Sequence, residues 1–380
     1  MLRRAESMRP ALRSRQQACE TAGRIPEETH RGFLQAGFYR ILQPRRYGGY
    51  EFSIPDLVRA VIEVSRGCTD SGWVLSQIAA QPAAVLCLFP EQTQREVYGD
   101  SGDCRVAAVV AASGSATLTA SGYRVSGQWD YCTGCDIATH FLGSAVLLHP
   151  LTSSPYGTAC VLLDRNQFDI VDNWNMIGMQ GTGSRRVVAE DLTIPAHRVL
   201  PVSGSQWRDP GPQPGHAAHT NPLYHGSPLT ALEFALQAVA VGAARGALDA
   251  YEEILRKKWT LPPYPSRFEM PEFQQIFGTA QALVDAAEVA LIGLAQRCES
   301  PSVEEIRRIH RAGAQCMEMA WQATDLMFRS AGSSAGSQQS PLGRCFRGLA
   351  VLRTHIGAQC DHKSVNVARL HFGLPPMSTI

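Results

Sequence analysis

The chain has no run of 18 or more consecutive apolar residues, which excludes a simple hydrophobic membrane span. It has no excess of either charge. With 35 Lys and Arg against 34 Asp and Glu, the net charge is +1, and no basic block follows the N-terminal stretch, so nucleic acid is excluded as a partner. No GxGxxG follows a strand pattern and no GxxxxGK[ST] occurs, so neither a Rossmann nucleotide site nor a P-loop is indicated. A second CxxC is missing. Cys132 and Cys135 form the one such pair among 11 scattered cysteines, which argues against a zinc site. The remaining cysteines read as buried thiols of a reducing, cytoplasmic protein. The first 17 residues are Arg-rich but lack an apolar core, so they read as a basic amphipathic helix rather than a secretory signal. His216, His219 and His225 do not have the spacing of a helix-borne metal site and read as solvated loop histidines; no metal is expected.

What is present is a globular composition. The 380 residues are 44% hydrophobic and 18% charged, enough for a sizeable core and two or three domains. Residues 1–103 read as helical. Phe33, Leu34, Phe38 and Leu42 give one apolar face, 54–65 a second amphipathic helix, Thr69 to Trp73 the start of a third, and Pro90-Glu91 the start of a fourth. Residues 104–206 change to Val, Thr, Ser and Gly in short alternating runs: 105–110, 116–120, 123–129, 140–148, 158–163 and 187–194. That pattern predicts a small β-barrel or sandwich. Residues 203–227 read as a long loop. From 229 onward four long helices are expected, over 229–259, 271–298, 302–329 and 341–370. Ser302 and Glu305 form a capping box for the third, and short connections suggest a four-helix bundle over 207–380. The fold class is therefore α+β, in the order helices, β, helices.

Two stretches carry chemistry. In 122–135, GYRVSGQWDYCTGC, a strand pattern runs into Thr133-Gly134, where a hydroxyl followed by glycine lets a ligand meet backbone and Oγ closely. In 174–201, Gly178-Met179-Gln180-Gly181-Thr182-Gly183-Ser184 is a turn-rich loop dense in backbone donors and hydroxyls, followed by a strand that Pro195 stops.

Together these stretches, the domain order, and the segments IPEETHRGFLQAGFYRILQPRRYGGY, CTDSGWVLSQ and PLGRCFRGL resemble the acyl-CoA dehydrogenase fold over nearly the whole chain. The resemblance is closest to its flavin-dependent monooxygenases that use reduced flavin from a separate reductase. It implies a flavin, FMN or FAD, lying between the β-domain and the bundle, a homotetramer, O2 as co-substrate, an NAD(P)H-dependent flavin reductase as partner, and a small-molecule substrate. Carried over by position, Thr133 matches the hydroxyl residue that hydrogen-bonds the flavin's reactive ring nitrogen. Trp129, Tyr131, Gly134 and Cys135 would line the ring. Gly181, Thr182, Gly183 and Ser184 match the flavin-domain loop, and Phe328, Gly332 and Ser333 a segment near the ribityl and phosphate groups. His355 matches a histidine beside the substrate, where it would polarise or deprotonate it, and Trp73 and Gln81 fall on the substrate side.

This sequence departs from that pattern in places. The phenol hydroxylases of this fold carry a second histidine before a proline where Gln81-Pro82 stands, and a serine where Ala107 and Ala108 stand. Glutamine can hydrogen-bond a substrate oxygen but takes up no proton at neutral pH. The departure argues against a simple phenol and leaves open a larger polycyclic or specialised-metabolite substrate, or oxygenation at nitrogen or sulfur. An alternative is α,β-dehydrogenation of an acyl-CoA with Glu233 as base, although the dehydrogenases' Thr-Glu-Pro loop is missing. A third reading is a non-enzymatic scaffold that keeps the fold.

Overall fold

The computed structural model describes residues 1–202, 204–207, 211–257, 266–298 and 303–377. Among them, six helices come first: α1 (Leu2–Ser14), α2 (Gln16–Ala22), α3 (Glu27–Ala36), α4 (Ile54–Gly67), α5 (Thr69–Ala84) and α6 (Glu91–Tyr98). Seven strands follow: β1 (Val106–Thr119), β2 (Gly122–Cys132), β3 (His140–Leu148), β4 (Pro155–Asp164), β5 (Asp169–Val171), β6 (Arg185–Ile194) and β7 (Val199–Pro201). The last helices are α7 (Pro228–Lys257), α8 (Pro271–Gln296), α9 (Val303–Ser330), α10 (Pro341–Leu352) and α11 (Cys360–His371). The expected capping box at Ser302 lies outside the described residues.

The strands form one sheet in the order β5-β6-β2-β1-β3-β4-β7, with β5 and β7 at its edges. Among the described strands only β1 and β3 pair in parallel. The sequence runs 105–110 and 116–120 belong to a single long β1, whose register shifts between Val109, Ala112 and Gly114; such bulges bend a strand without ending it. Side chains alternate between two cores, as the period-2 geometry of a strand requires. Phe141, Val161 and Leu163 join Trp129 in a core belonging to the sheet. Leu142, Cys160 and Leu162 point the other way, into the helical core.

Helices α4 and α5 lie against α7. Ser53 and Asp56 close a capping box at the start of α4, satisfying N–H groups the helix cannot pair itself. The contact with α7 is close because α7 is rich in alanine and glycine: a Cβ on Gly242 would sit 2.3 Å from the Ile62 carbonyl oxygen. Cys68, extended at φ −157°, turns the chain from α4 into α5 and so directs α5 between the sheet and the late helices.

Three expectations are corrected. The fourth late helix is not continuous. It breaks after Leu352, runs through a one-turn 3-10 helix at Ile356–Ala358, and restarts as α11. Gly357 lies inside the break, where a glycine weakens a helix most. His219 is not solvated: its Nε2 lies 2.8 Å from Gln94 Oε1, its ring stands 4.5 Å from that of Tyr224, and burial pushes its pKa down to about 4. Finally, three helical segments, Thr69–Leu88, Pro228–Lys257 and Pro271–Gln296, are long and apolar enough to cross a membrane by length and composition. The first two are almost wholly buried inside the fold, whereas only 22% of the apolar stretch of α8 is.

Candidate active site

The end of β2 and the loop entering β6 lie side by side, because the two strands pair antiparallel with Cys132 opposite Arg185. At the end of β2 the backbone turns through left-handed residues at Tyr131 (φ 64°) and Gly134 (φ 78°); on the β6 side it does so at Met179 (φ 57°) and Gly183 (φ 55°). Strained conformations of this kind persist where the surroundings hold them and gather at functional sites. Gly134 has a second reason to be glycine: a Cβ there would lie 2.7 Å from Ile78 Cδ1 on α5.

These turns bring hydroxyls together that are far apart in sequence. Thr133 Oγ1 is 2.8 Å from Ser184 Oγ, and Ser184 Oγ is 2.8 Å from Thr182 Oγ1. From α5, the Trp73 indole N–H donates to Thr133 Oγ1 at 2.9 Å. All four residues are buried. Thr182 Oγ1 donates to the Met179 carbonyl oxygen at 2.9 Å, so the hydroxyl protons run one way, from Thr133 to Ser184, from Ser184 to Thr182 and from Thr182 to Met179. Cys135 joins the same turn, its Sγ 3.6 Å from the Gly183 carbonyl oxygen, and burial pushes its thiol up to about 12, so it is an inert packing group.

The loop is held from behind. Gly181 N donates to Asp70 Oδ2 at 2.7 Å, and Asp70 is buried at the start of α5. Burial raises its carboxyl pKa to about 6, against the opposing pull of the Gly181 N–H. Arg185, next after Ser184, donates to Asp136 Oδ1 at 2.6 Å and to Asp172 Oδ1 at 2.9 Å, which ties the β6 entry to the turn after Thr133. Asp70 and Arg185 escaped sequence reading. Asp70 looked like an ordinary first-turn acid, and the position of Arg185 directly after the Gly-Thr-Gly-Ser loop was the signal available.

His355 stands at the break between α10 and α11, not on a helix. Its ring packs edge-on to Trp73, with centroids 5.6 Å apart. Its Nδ1 accepts a hydrogen bond from Gly357 N at 3.1 Å. A neutral imidazole that accepts at Nδ1 carries its proton on Nε2 and offers a donor there. His355 is an exposed residue, yet protein packed around its ring lowers its pKa below the ordinary 6.5, chiefly by desolvation; Lys363 adds to the effect and Glu233 opposes it. Gln77 and Gln81 follow Trp73 along α5. Gln81 donates from Nε2 to the Gln77 carbonyl at 3.2 Å, while its buried Oε1 has no hydrogen-bond partner.

Two family models match the chain: acyl-CoA dehydrogenase N-terminal domain over residues 5–100 and acyl-CoA dehydrogenase C-terminal domain over 234–360. The chain is 30% identical, over all of both chains, to the flavin-dependent monooxygenase oxygenase subunit HsaA of Rhodococcus jostii (strain RHA1). It belongs to the oxygenase subunits of flavin-dependent monooxygenases. It is also 28% identical to the oxygenase component of an FADH2-dependent resorcinol hydroxylase from a Rhizobium species, covering 96% of this chain and 92% of the relative. Among solved structures it superimposes on the 3-HSA hydroxylase from Rhodococcus sp. RHA1 with a TM-score of 0.91 at 29% identity, covering 99% and 97% of the two chains.

The hydroxyl group suits the flavin of such an oxygenase subunit. It is uncharged, buried and rich in donors, as a neutral ring with polar edges requires. Not every expected residue gathers there. Trp129 is a correction: its indole is fully buried in the sheet's own core, donates to the Ser144 carbonyl at 2.8 Å and packs on Phe141, so it offers no surface to a ring. Tyr131 is largely exposed and stands edge-on to Trp174. Phe328 stacks on Phe346 at 4.0 Å, and beyond α9 Gly332 and Ser333 are exposed. Phe328 thus packs on Phe346, and a Cβ on Gly332 would lie 3.8 Å from the Arg267 guanidinium. Glu233 is buried between α7 and α11, where Lys363 Nζ donates to its Oε2 at 2.6 Å.

Proposed function

We propose that the chain is the oxygenase component of a two-component monooxygenase. It takes reduced FMN or FAD from a separate NAD(P)H-dependent reductase and, with O2, oxygenates an aromatic or specialised-metabolite substrate. When bound, the reduced flavin supplies oxygen activation and the transfer of one oxygen atom. The rest falls to the protein's own groups. Thr133 goes on accepting from Trp73 and would turn its hydroxyl proton from Ser184 to the ring nitrogen, with Ser184 and Thr182 beside it. His355, protonated on Nε2, polarises a substrate oxygen by donation. Gln81 Oε1 accepts from a second substrate donor. The apolar walls of α5 and α7 exclude water from the reacting atoms.

The observation that carries this reading is the Trp73–Thr133–Ser184 hydroxyl chain with His355 edge-on to the same indole. The dehydrogenase alternative loses its support because Glu233 is ion-paired with Lys363, which makes it a poor proton acceptor. We further propose that the flavin lies between residues 104–206 and 207–380, that the sheet acts as a barrel-like domain beside a helical bundle, and that the enzyme is a cytoplasmic homotetramer. Eleven free cysteines and the exposed apolar side of α8 support these last points.

The test is turnover under 18O2 with a flavin reductase, NADH, FMN or FAD, and a panel holding resorcinol, p-hydroxyphenylacetate, indole-3-acetate and polycyclic phenols. Incorporation of one 18O atom into product is expected. Reduction of bound oxidised flavin by an acyl-CoA, without such incorporation, would overturn the reading.

A further inference from the structure

The late helices contain a buried ion pair that the proposed reaction does not use. Glu233 on α7 and Lys363 on α11 have side chains only 8% and 9% exposed. His310 on α9, 2% exposed, places Nδ1 3.3 Å from the same carboxylate oxygen. Two charges leave water only at a cost of several kcal/mol each, so a buried pair is weak evidence for stability and calls for another reason.

Its place in the chain offers one. None of the 12 residues of α11 is fully buried; Val367 and Leu370 are half-buried and the helix lies along α9, so its apolar anchoring is slight. Its described ties to the body are polar: Lys363 to Glu233, Ser364 to Arg311, and Cys360 Sγ to the Ala314 carbonyl at 3.3 Å. Directly before α11 stands the break that carries His355. There Gly357 N bonds His355 Nδ1, and a Cβ on Gly357 would lie 3.3 Å from Leu236 Cδ1, on the same stretch of α7 as Glu233. One ion pair thus closes the frame that sets the imidazole against Trp73.

We propose that Lys363, gripped by Glu233, is a positioning residue for His355: the pair pins α11 to α7, keeps the break folded, and so holds the imidazole edge-on to Trp73. The proposal rests on the reading of His355 as the substrate-side group. Around the ring, desolvation is the main cause that disfavours an imidazolium; Lys363 adds to it and Glu233 opposes it. Trp73 and Gln77 on α5 carry no charge. Glu233 on α7 and His310 on α9 are both engaged at the pair. Arg353, two residues before His355, is turned onto Glu318 and Trp321. That leaves the Lys363 ammonium as the charge that disfavours an imidazolium, which would also set an Nδ1–H against Gly357 N–H.

The test uses the full chain without flavin or substrate, so it stands or falls independently of any oxygenated product. An imidazolium quenches a neighbouring indole. The pH-dependent emission present in wild type and absent in His355→Ala therefore reports His355 through Trp73. Its midpoint is expected below 6.5. Lys363→Met should raise the midpoint by about half a unit to one unit, the scale of one charge at this range in a partly screened medium. It should also speed hydrogen exchange across residues 356–371 by roughly tenfold or more. Lys363→Arg should restore both. If the lone Glu233 in Lys363→Met prevents folding, the double variant Glu233→Gln with Lys363→Met removes both charges and should show the faster exchange. A midpoint and exchange rates equal to wild type, in Lys363→Met or in the double variant, would overturn the proposal.

Discussion

The indole nitrogen of Trp73, on α5, donates to the hydroxyl of Thr133, at the end of β2, across 60 residues of sequence and 2.9 Å of space. Neither partner is replaceable by shape alone. Thr133→Val keeps the volume but strands a buried indole N–H, at a cost of about 1–3 kcal/mol. Trp73→Phe removes the donor and leaves Thr133 its bond to Ser184, so it should cost less through this bond. Urea unfolding of the two single variants and the double should give a coupling energy of roughly 1 kcal/mol. A coupling near zero would mean that the bond does not form in solution.

His355 should act through its Nε2 proton. His355→Ala is expected to leave the fold intact and to lower product formed per O2 consumed by roughly 10²-fold, with hydrogen peroxide released instead. His355→Gln retains an N–H donor but no base, so it should keep clearly more coupling than the alanine variant. Equal loss in both would favour proton removal over polarisation. The pH sign follows from the lowered pKa: the neutral ring is required, so coupling should hold as pH falls past 6.5 and fail only below it.

Asp70 gives a stability signature. Its carboxyl pKa rises from 3.8 to about 6 on folding, with burial as the main cause. The folded state therefore binds this proton more tightly than the unfolded chain. The stability this contributes is full below 3.8 and is lost as pH rises through about 6. At pH 7 the charged form costs on the order of 3 kcal/mol relative to acid conditions. Asp70→Asn keeps an oxygen for Gly181 N–H and removes the titration. The difference in unfolding free energy between variant and wild type should shift toward the variant from pH 4 to 7. A difference that stays flat over that range would contradict the shift. Reduced-flavin affinity should fall in Asp70→Asn, because a neutral acceptor holds the Gly181 loop less firmly.

Much of this was legible before any coordinates. Strand alternation marked the β region, and Thr133-Gly134 stood out only together with the Gly-Thr-Gly-Ser loop and the family pattern that both match, since a glycine at a strand end by itself marks a bend. Their meeting was not legible, since it depends on the pairing of β2 with β6, set by packing rather than by either strand alone. Trp129 fell to the wrong side for the same reason: alternation gives two faces and does not say which one meets a ligand. The helix break at His355 had a local sign in Gly357, outweighed by the apolar run before it. The Glu233–Lys363 pair spans 130 residues and had no local sign at all.

The outer side of α8 predicts association. Ala282, Ala286, Val289 and Ala290 are exposed and recur at helical spacing, with Gly278 and Gly293 extending the row. Val289 alone is 74% exposed. Apolar surface left in water is unfavourable, so covering this strip with a partner lowers the free energy, and small side chains let a second helix approach closely. A copy of the same chain is the partner that supports a closed tetramer, because a symmetric oligomer buries the same strip on every subunit. Light scattering at micromolar concentration should therefore report four chains. Ala286→Glu with Val289→Glu places two charges on the strip without touching the buried side, Val284, Ala287 and Leu291. It should keep the helical circular dichroism and reduce the mass to a dimer or monomer. A wild-type monomer, or a double variant that stays tetrameric, would remove α8 from the interface.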